Sequence, residues 1–234
     1  VVVWVPAGWA WACVSSHVEL PPGIAVEQVS GTLWSGAARV EVQRKPVRVQ
    51  WQLTWPDVME LRQPVAISLE TVSSRVEGDL MFGWPGSVMA DLGGRLHVPE
   101  FADLIRQSGG AMIEGEVMID RLTMAWADNR ITRAEGLGRW DGGLVTWPMG
   151  DQRGRAEFPP MQATMDTTQG GVALSVSEQG GQGPAADATV FWNGMLELRV
   201  YKRMVDLAGQ PWPDSASPGD VVFRVRQPLV PGAR

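Results

Sequence analysis

Strict alternation of apolar and polar side chains over residues 47–55 constrains the fold of this chain more than any other feature of its sequence. Every odd position is apolar and every even position polar, in the order Val47-Arg48-Val49-Gln50-Trp51-Gln52-Leu53-Thr54-Trp55. Successive side chains of a β-strand point to opposite faces, so this period of two predicts a strand with one apolar face. Such a strand needs a sheet that shelters that face.

Similar segments recur along the chain and predict a mostly β protein. Strands are expected at residues 39–43, 65–70, 74–82, 87–96, 112–126, 143–147, 154–158, 162–167, 172–178 and 221–227. The separators are rich in turn-forming residues, and the chain contains 27 glycines and 17 prolines, which favours many short connections. Only residues 99–107 and 201–207 have helical spacing, and we expect both to cap the sheet.

These patterns predict an all-β fold with two short helices and no internal domain boundary. The expected architecture is a long twisted antiparallel sheet that forms a half-barrel or incomplete barrel, or closes fully. Residues 19–234 are expected to form this β domain.

The inventory of reactive side chains is small. The chain has one cysteine, Cys13, and two histidines, His17 and His97, which are too few and too far apart for a zinc site or a nucleophile with its base. We therefore expect no catalytic residue, metal or cofactor. The 20 basic and 26 acidic residues give a net charge of -6, which provides no general attraction for nucleic acid.

A carboxylate pair leaves one enzymatic alternative open. Glu114 and Glu116 are predicted to share one face of a strand, and glycoside hydrolysis requires two carboxyl groups. The same spacing occurs on any solvated strand face, as at Glu77 and Asp79. The pair is therefore weak evidence for a cell-wall hydrolase.

The first 18 residues contain no aspartate, glutamate, lysine or arginine. A bilayer span requires about 20 apolar residues, and Pro6 and Gly8 interrupt this stretch. We expect residues 1–18 to be the end of a membrane anchor and a juxtamembrane segment, with Trp4, Trp9 and Trp11 at headgroup level. The alternative is the buried first element of a soluble domain.

Three of the 12 tryptophans are candidate ligand contacts. Trp84, Trp147 and Trp212 each adjoin a proline at the end of a predicted strand, where partial exposure is expected. Packing within the core or at its rim is the alternative interpretation.

A compact motif follows the apolar segment, with the sequence Gly31-Thr32-Leu33-Trp34-Ser35-Gly36. It is preceded by Pro6-Ala7, Leu20-Pro21-Pro22-Gly23 and Val29-Ser30, and followed by the alternating strand that contains Trp51 and Leu53. In these features the chain resembles protein N of the bacterial type II secretion system.

The resemblance implies a single-pass inner-membrane protein whose β-rich domain lies in the periplasm, with a fold similar to that of AsmA-type envelope proteins. It implies a non-enzymatic role in export, with other inner-membrane secretion components or peptidoglycan as partners. Self-association is also open. The motif is expected either to pack as the first turn of the sheet or to dock a partner. A lipid carrier, with an apolar groove on the inner face of the sheet, is the alternative function.

Overall fold

The computed structural model describes residues 6–15, 24–42, 45–53, 62–83, 86–107, 111–127, 130–149, 152–212 and 215–228. Its helices are α1 (Ala7–Ser15), α2 (Ala102–Gln107), which follows a 3-10 turn at Val98–Phe101, and α3 (Lys202–Leu207). Its strands are β1 (Ile24–Gly31), β2 (Ser35–Val42), β3 (Lys45–Leu53), β4 (Arg62–Glu70), β5 (Arg75–Gly83), β6 (Ser87–His97), β7 (Met112–Ile113), β8 (Glu116–Ala127), β9 (Arg130–Trp140), β10 (Gly143–Met149), β11 (Gln152–Phe158), β12 (Met161–Thr167), β13 (Gly171–Glu178), β14 (Ala186–Phe191), β15 (Met195–Tyr201) and β16 (Val221–Pro228).

The strands form one large and one small sheet. Thirteen of them are hydrogen-bonded in the order β1-β2-β3-β4-β5-β6-β8-β9-β12-β13-β14-β15-β16, and β11-β10-β7 form a three-stranded sheet. Strands β1 to β6 are joined as successive antiparallel pairs, and so are β12 to β16. The large sheet is open, because its order begins at β1 and ends at β16.

The chain packs as two compact units, Val1–Arg95 with Thr123–Thr132, and Leu96–Leu122 with Arg133–Arg234. Among its described residues, the first unit has few buried apolar side chains, and these include Val65 and Ala90. The second unit has a contiguous core where the three-stranded sheet and α3 pack on the large sheet, formed by Trp140, Val145, Phe158, Met161 and Ala185.

The predicted fold class is confirmed, since the chain is mostly antiparallel β with short helices and an open sheet. Both predicted helical windows contain a helix. A further helix, α1, lies within the expected anchor segment. Strands β1, β9, β14 and β15 were not predicted. Residues 54 and 55 of the alternating segment and residue 43 of the strand predicted at 39–43 lie outside the described residues, as do residues 1–5 and 16–18 of the expected anchor.

The single strand predicted for residues 112–126 was also wrong. It is interrupted after β7, where Gly115 has a φ of +91° before β8 begins. This backbone conformation is accessible mainly to glycine, and it separates a strand of the small sheet from a strand of the large one. Glu114 and Glu116 therefore do not share a strand face, which removes the geometric basis of the proposed carboxylate pair.

Candidate functional site

Residues 31–36 form a tight turn that joins β1 to β2, which we call the 31–36 turn. The amide of Thr32 donates to the carbonyl oxygen of Ser35 at 2.8 Å, and the amide of Ser35 donates to Thr32 Oγ1 at 3.2 Å. Gly31 has a φ of +87°, and a Cβ at this position would lie 2.5 Å from the carbonyl oxygen of Ser35. Glycine is thus required by both the backbone conformation and the space.

Trp51 on β3 covers the 31–36 turn. Strand register places it opposite Gly36, and its indole Nε1 donates to the carbonyl oxygen of Leu33 at 3.2 Å. A Cβ on Gly36 would overlap the indole ring and lie 2.7 Å from the carbonyl oxygen of Ser30. The second glycine of the motif therefore makes room for the tryptophan of the alternating strand.

The N-terminal segment reaches the same turn. Pro6 forms an antiparallel bridge with Thr32, and α1 begins directly after it with Ala7 buried. The side chain of Leu33 is nevertheless 40% exposed. The 31–36 turn thus combines a packed backbone with an apolar side chain that is accessible at its tip.

A second feature lies within the second unit, where a cavity of about 720 Å³ opens between the two sheets and α3. We call it the apolar cavity. Its described lining is mostly apolar, and its polar members are Arg139, Gln162 and Gln210. The apolar lining consists chiefly of Ile113, Val117, Gly138, Trp140, Val145, Trp147, Pro148, Phe158, Met161, Ala163, Val176, Val200, Met204, Val205, Ala208 and Phe223.

Strand register explains why this space is apolar and why it exists. One row of side chains crosses six strands of the large sheet on the cavity face, in the order Gly138, Ala163, Val176, Ala186, Val200 and Phe223. The row begins with a glycine and an alanine, which leave volume that larger side chains would fill. The neighbouring row, Arg139, Gln162 and Ser177, is polar, and strand alternation directs its side chains to the opposite face. Arg139 and Gln162 also border the cavity.

Two tryptophans shape the wall of the apolar cavity. The Trp140 indole Nε1 donates to the carbonyl oxygen of Glu114 at 2.7 Å. Trp147 on β10 is in register with Gly154 on β11, and a Cβ at Gly154 would lie 2.5 Å from the Trp147 Nε1. The pair repeats the arrangement of Trp51 over Gly36, with an indole stacked on a glycine of the neighbouring strand.

A buried carboxylate lies on the polar face near the last strand. Glu197 is 2% exposed and accepts hydrogen bonds from Arg199 at 2.7 Å and Arg224 at 2.7 Å. These bonds, from Arg199 first and Arg224 second, hold the pKa of Glu197 below its ordinary value, and the Glu197 carboxylate raises the pKa of Arg199. The arrangement is typical of a structural ion-pair network.

The family model of type II secretion system (T2SS), protein N matches residues 22–212. The chain belongs to this family. No curated protein and no solved structure matches it. Membership of the family makes the chain a component of the type II secretion system, and the family is one of secretion components rather than a known family of enzymes.

The match of this T2SS protein N family member includes the 31–36 turn and most of the lining of the apolar cavity. Of the three tryptophans predicted as ligand contacts, Trp147 lines the cavity. Trp212 is 42% exposed and is absent from the described lining, and Trp84 lies outside the described residues. Ligand contact by any of the three stays a prediction.

An apolar groove on the inner face of the sheet was expected only as an alternative, and its lining residues were not predicted, in part because β15 was not identified as a strand. A signal was present, since Leu196, Leu198 and Val200 alternate with polar residues. Helix α3 was predicted as a cap on the sheet, but its residues Met204 and Val205 form part of a cavity wall.

Within the described ranges, no three histidine, cysteine or acidic side chains are grouped closely enough to hold a metal ion. Among the same residues, no helix has the length and hydropathy needed to cross a bilayer.

Proposed function

We propose that this T2SS protein N family member is a non-enzymatic scaffold of the secretion apparatus, anchored in the inner membrane with its β domain in the periplasm. It supports export of folded proteins across the outer membrane by contacting other inner-membrane secretion components or peptidoglycan. The observation on which the proposal depends is the family match over residues 22–212, which spans nearly all strands of the large sheet.

The 31–36 turn supports a contact with another secretion component. Its backbone bonds are internal to the unit, whereas the Leu33 side chain is 40% exposed beside the N-terminal segment that pairs with Thr32. An apolar side chain on a rigid turn loses little conformational entropy when a partner covers it. Leu33 is therefore the residue of the motif best placed to make a contact.

Site-specific photocrosslinking in cells tests this contact. A photoreactive amino acid at position 33 is expected to crosslink to another inner-membrane secretion component. The matched control is Val72, which is 87% exposed in the turn between β4 and β5 of the same unit. Equal crosslinking from both positions, or none from position 33, would contradict docking through the turn.

Peptidoglycan binding and periplasmic location need separate measurements. The purified chain is expected to sediment with isolated peptidoglycan sacculi and to stay in solution without them. A cysteine-reactive, membrane-impermeant label is expected to reach Val72→Cys in intact spheroplasts. If the protein remains in the supernatant when sacculi are present, the proposed peptidoglycan binding is contradicted. If Val72→Cys is labelled only after lysis, the proposed periplasmic location is contradicted.

The apolar cavity favours a second candidate function, the binding of an aliphatic ligand such as a lipid acyl chain. Its volume of about 720 Å³ falls within the range of small-molecule sites, roughly 300–1,000 Å³. An acyl chain suits a wall built from Val, Ala, Met and aromatic side chains, because no polar group of the ligand has to be desolvated.

Native mass spectrometry of detergent-free protein tests the second function, with bound lipid as the expected result. Ala163→Trp fills the row of small residues on the cavity face and is expected to remove the bound mass. Ala173→Trp is the matched control, because strand register places it on the opposite face, across from Asp166. A clean unbound mass for the wild-type protein would contradict this function.

A further inference from the structure

The last strand of the large sheet has an open edge. Strand β16 ends the strand order, and β15 is its only neighbour among the described residues. Backbone N–H and C=O groups along such an edge are a template for a further strand. The opposite end of the sheet differs, because α1 packs beside β1 and Pro6 pairs with Thr32.

The side chains of β16 continue both faces of the sheet to this edge. On the apolar face, Phe223 and Val225 lie opposite Val200 and Leu198 of β15, and Phe223 is 53% exposed. Phe223 also lines the apolar cavity. The row of apolar side chains therefore reaches the edge of the sheet without a neighbour that covers its end.

The polar face of the same edge has an excess of positive charge. Arg224 shares the Glu197 carboxylate with Arg199, so that one negative charge is bonded to two guanidinium groups. Arg226 lies over the Phe191 ring, 5.0 Å from its centroid, and no carboxylate in the described part of the chain bonds to it. A carboxylate of a neighbouring strand placed opposite Arg224 or Arg226 would balance this positive charge.

Pairing with a second copy of the chain does not satisfy these charges. Two copies of β16 could pair antiparallel with their polar faces on the same side of the joint sheet. In the two registers of this kind that pair the most residues, Arg224 of one copy lies opposite either Arg224 or Arg226 of the other. Like charges directly opposite each other on neighbouring strands are destabilising. The edge is thus better suited to a strand from a different protein.

We propose that β16 binds an extended segment of another protein as a further antiparallel strand. The segment alternates acidic and apolar residues, with carboxylates opposite Arg224 and Arg226 and apolar side chains opposite Phe223 and Val225. The backbone bonds provide the affinity and the alternation provides the specificity. The inference does not depend on the proposed role in secretion.

The other large open edge, β11 of the three-stranded sheet, has a different character. Its inward residues Gly154 and Phe158 are buried, and its exposed face carries both signs of charge, from Arg153, Arg155 and Glu157. A face of mixed charge and a buried inner side provide no matching pattern for an acidic and apolar strand. Strand β11 therefore supplies the matched control for the test.

The probe is a fluorescent eight-residue peptide in which valine and glutamate alternate, titrated by anisotropy into the 234-residue protein. Two peptides are compared with it, one with lysine in place of glutamate and one with valines and glutamates in separate blocks. We expect measurable binding of the alternating acidic peptide alone, with hydrogen-exchange protection of the β16 amides. Arg226→Glu is expected to weaken binding roughly five-fold or more, and Arg155→Glu to leave it unchanged.

Several results would overturn the proposal. These are equal binding of the lysine or block peptide, protection that maps away from β16, and equal weakening by Arg155→Glu and Arg226→Glu. Dimers detected by sedimentation with β16 protected in the absence of peptide would identify a second copy as the occupant instead. Because the exchange measurement uses wild-type protein, it decides the matter even if the Arg226→Glu variant does not fold.

Discussion

Replacement of Gly36 by alanine tests whether the 31–36 turn is held by Trp51. The new methyl group would overlap the Trp51 ring and lie 2.7 Å from the carbonyl oxygen of Ser30. Overpacking of this kind costs about 1–3 kcal/mol. Alanine lowers the entropy cost of folding by about 0.5–1 kcal/mol relative to glycine. The net loss in the free energy of unfolding is therefore about 1 kcal/mol, within a range of about 0–2.5 kcal/mol.

Urea denaturation followed by circular dichroism measures this loss, with a second variant to assign its cause. Trp51→Ala removes the ring and with it the main overlap, so the double variant Gly36→Ala/Trp51→Ala should be more stable than the sum of the single effects. The carbonyl oxygen of Ser30 remains close, so relief is partial, with an interaction energy of roughly 0.5–1 kcal/mol.

The pair Gly154 and Trp147 provides an internal comparison. All three heavy atoms nearest to a Cβ at Gly154 belong to the Trp147 ring, so Trp147→Ala should relieve the overlap more completely. We expect an interaction energy of roughly 1–2 kcal/mol there. Gly219→Ala is the control, because no heavy atom lies within 4 Å of its Cβ, and its effect should be within about 0.5 kcal/mol. Zero interaction energy in both pairs, or a larger one at Gly36, would refute the steric reasoning.

Two further stability predictions concern the second unit. The lowered pKa of Glu197 means that its ionised form stabilises the fold at pH values above the ordinary carboxyl value of 4.5, and that this contribution is lost as the pH falls through the folded pKa. The melting temperature of the wild-type protein should therefore fall more steeply below pH 4.5 than that of Glu197→Gln, and parallel curves would contradict this. Trp140→Phe removes the hydrogen bond to the Glu114 carbonyl oxygen. The free energy of unfolding, measured in urea, should fall by about 1–3 kcal/mol. No change would show that this hydrogen bond contributes nothing to stability.

Uninterrupted alternation predicted several strands, although β15 also alternates and was not predicted. The segment predicted at residues 47–55 corresponds to β3, and those at 172–178 and 221–227 correspond to β13 and β16. Strand β1 escaped prediction for a physical reason. Its pairing register with β2 shifts between Val26 and Gln28. Because of this irregularity, Val26 and Val29 are three positions apart and do not follow the two-residue alternation of a regular strand.

Strand β9 was not predicted because it contains glycines. Gly136 and Gly138 lie within it, and glycine is normally unfavourable in a strand. Both positions lie close to β8, because a Cβ at Gly136 would be 3.1 Å from the carbonyl oxygen of Arg121 and one at Gly138 3.3 Å from that of Met118. Such close approach depends on tertiary structure and is not visible in the local pattern.

The candidate sites were predictable to different degrees. The 31–36 turn stood out because its glycines and its tryptophan are adjacent in the sequence. The apolar cavity did not, because its walls come from segments as distant as Ile113, Trp147 and Met204. Only the register between strands shows that the small residues of β9 and β12 form one row.

Secretion itself provides the most direct test of the central claim that this protein is a working component of a type II secretion system. The measurement compares the extracellular and periplasmic amounts of a secreted enzyme in a wild-type strain, a strain lacking the gene, and that strain complemented with it. We predict that the enzyme accumulates in the periplasm without the gene and that complementation restores export. Normal extracellular amounts in the strain lacking the gene would contradict the account.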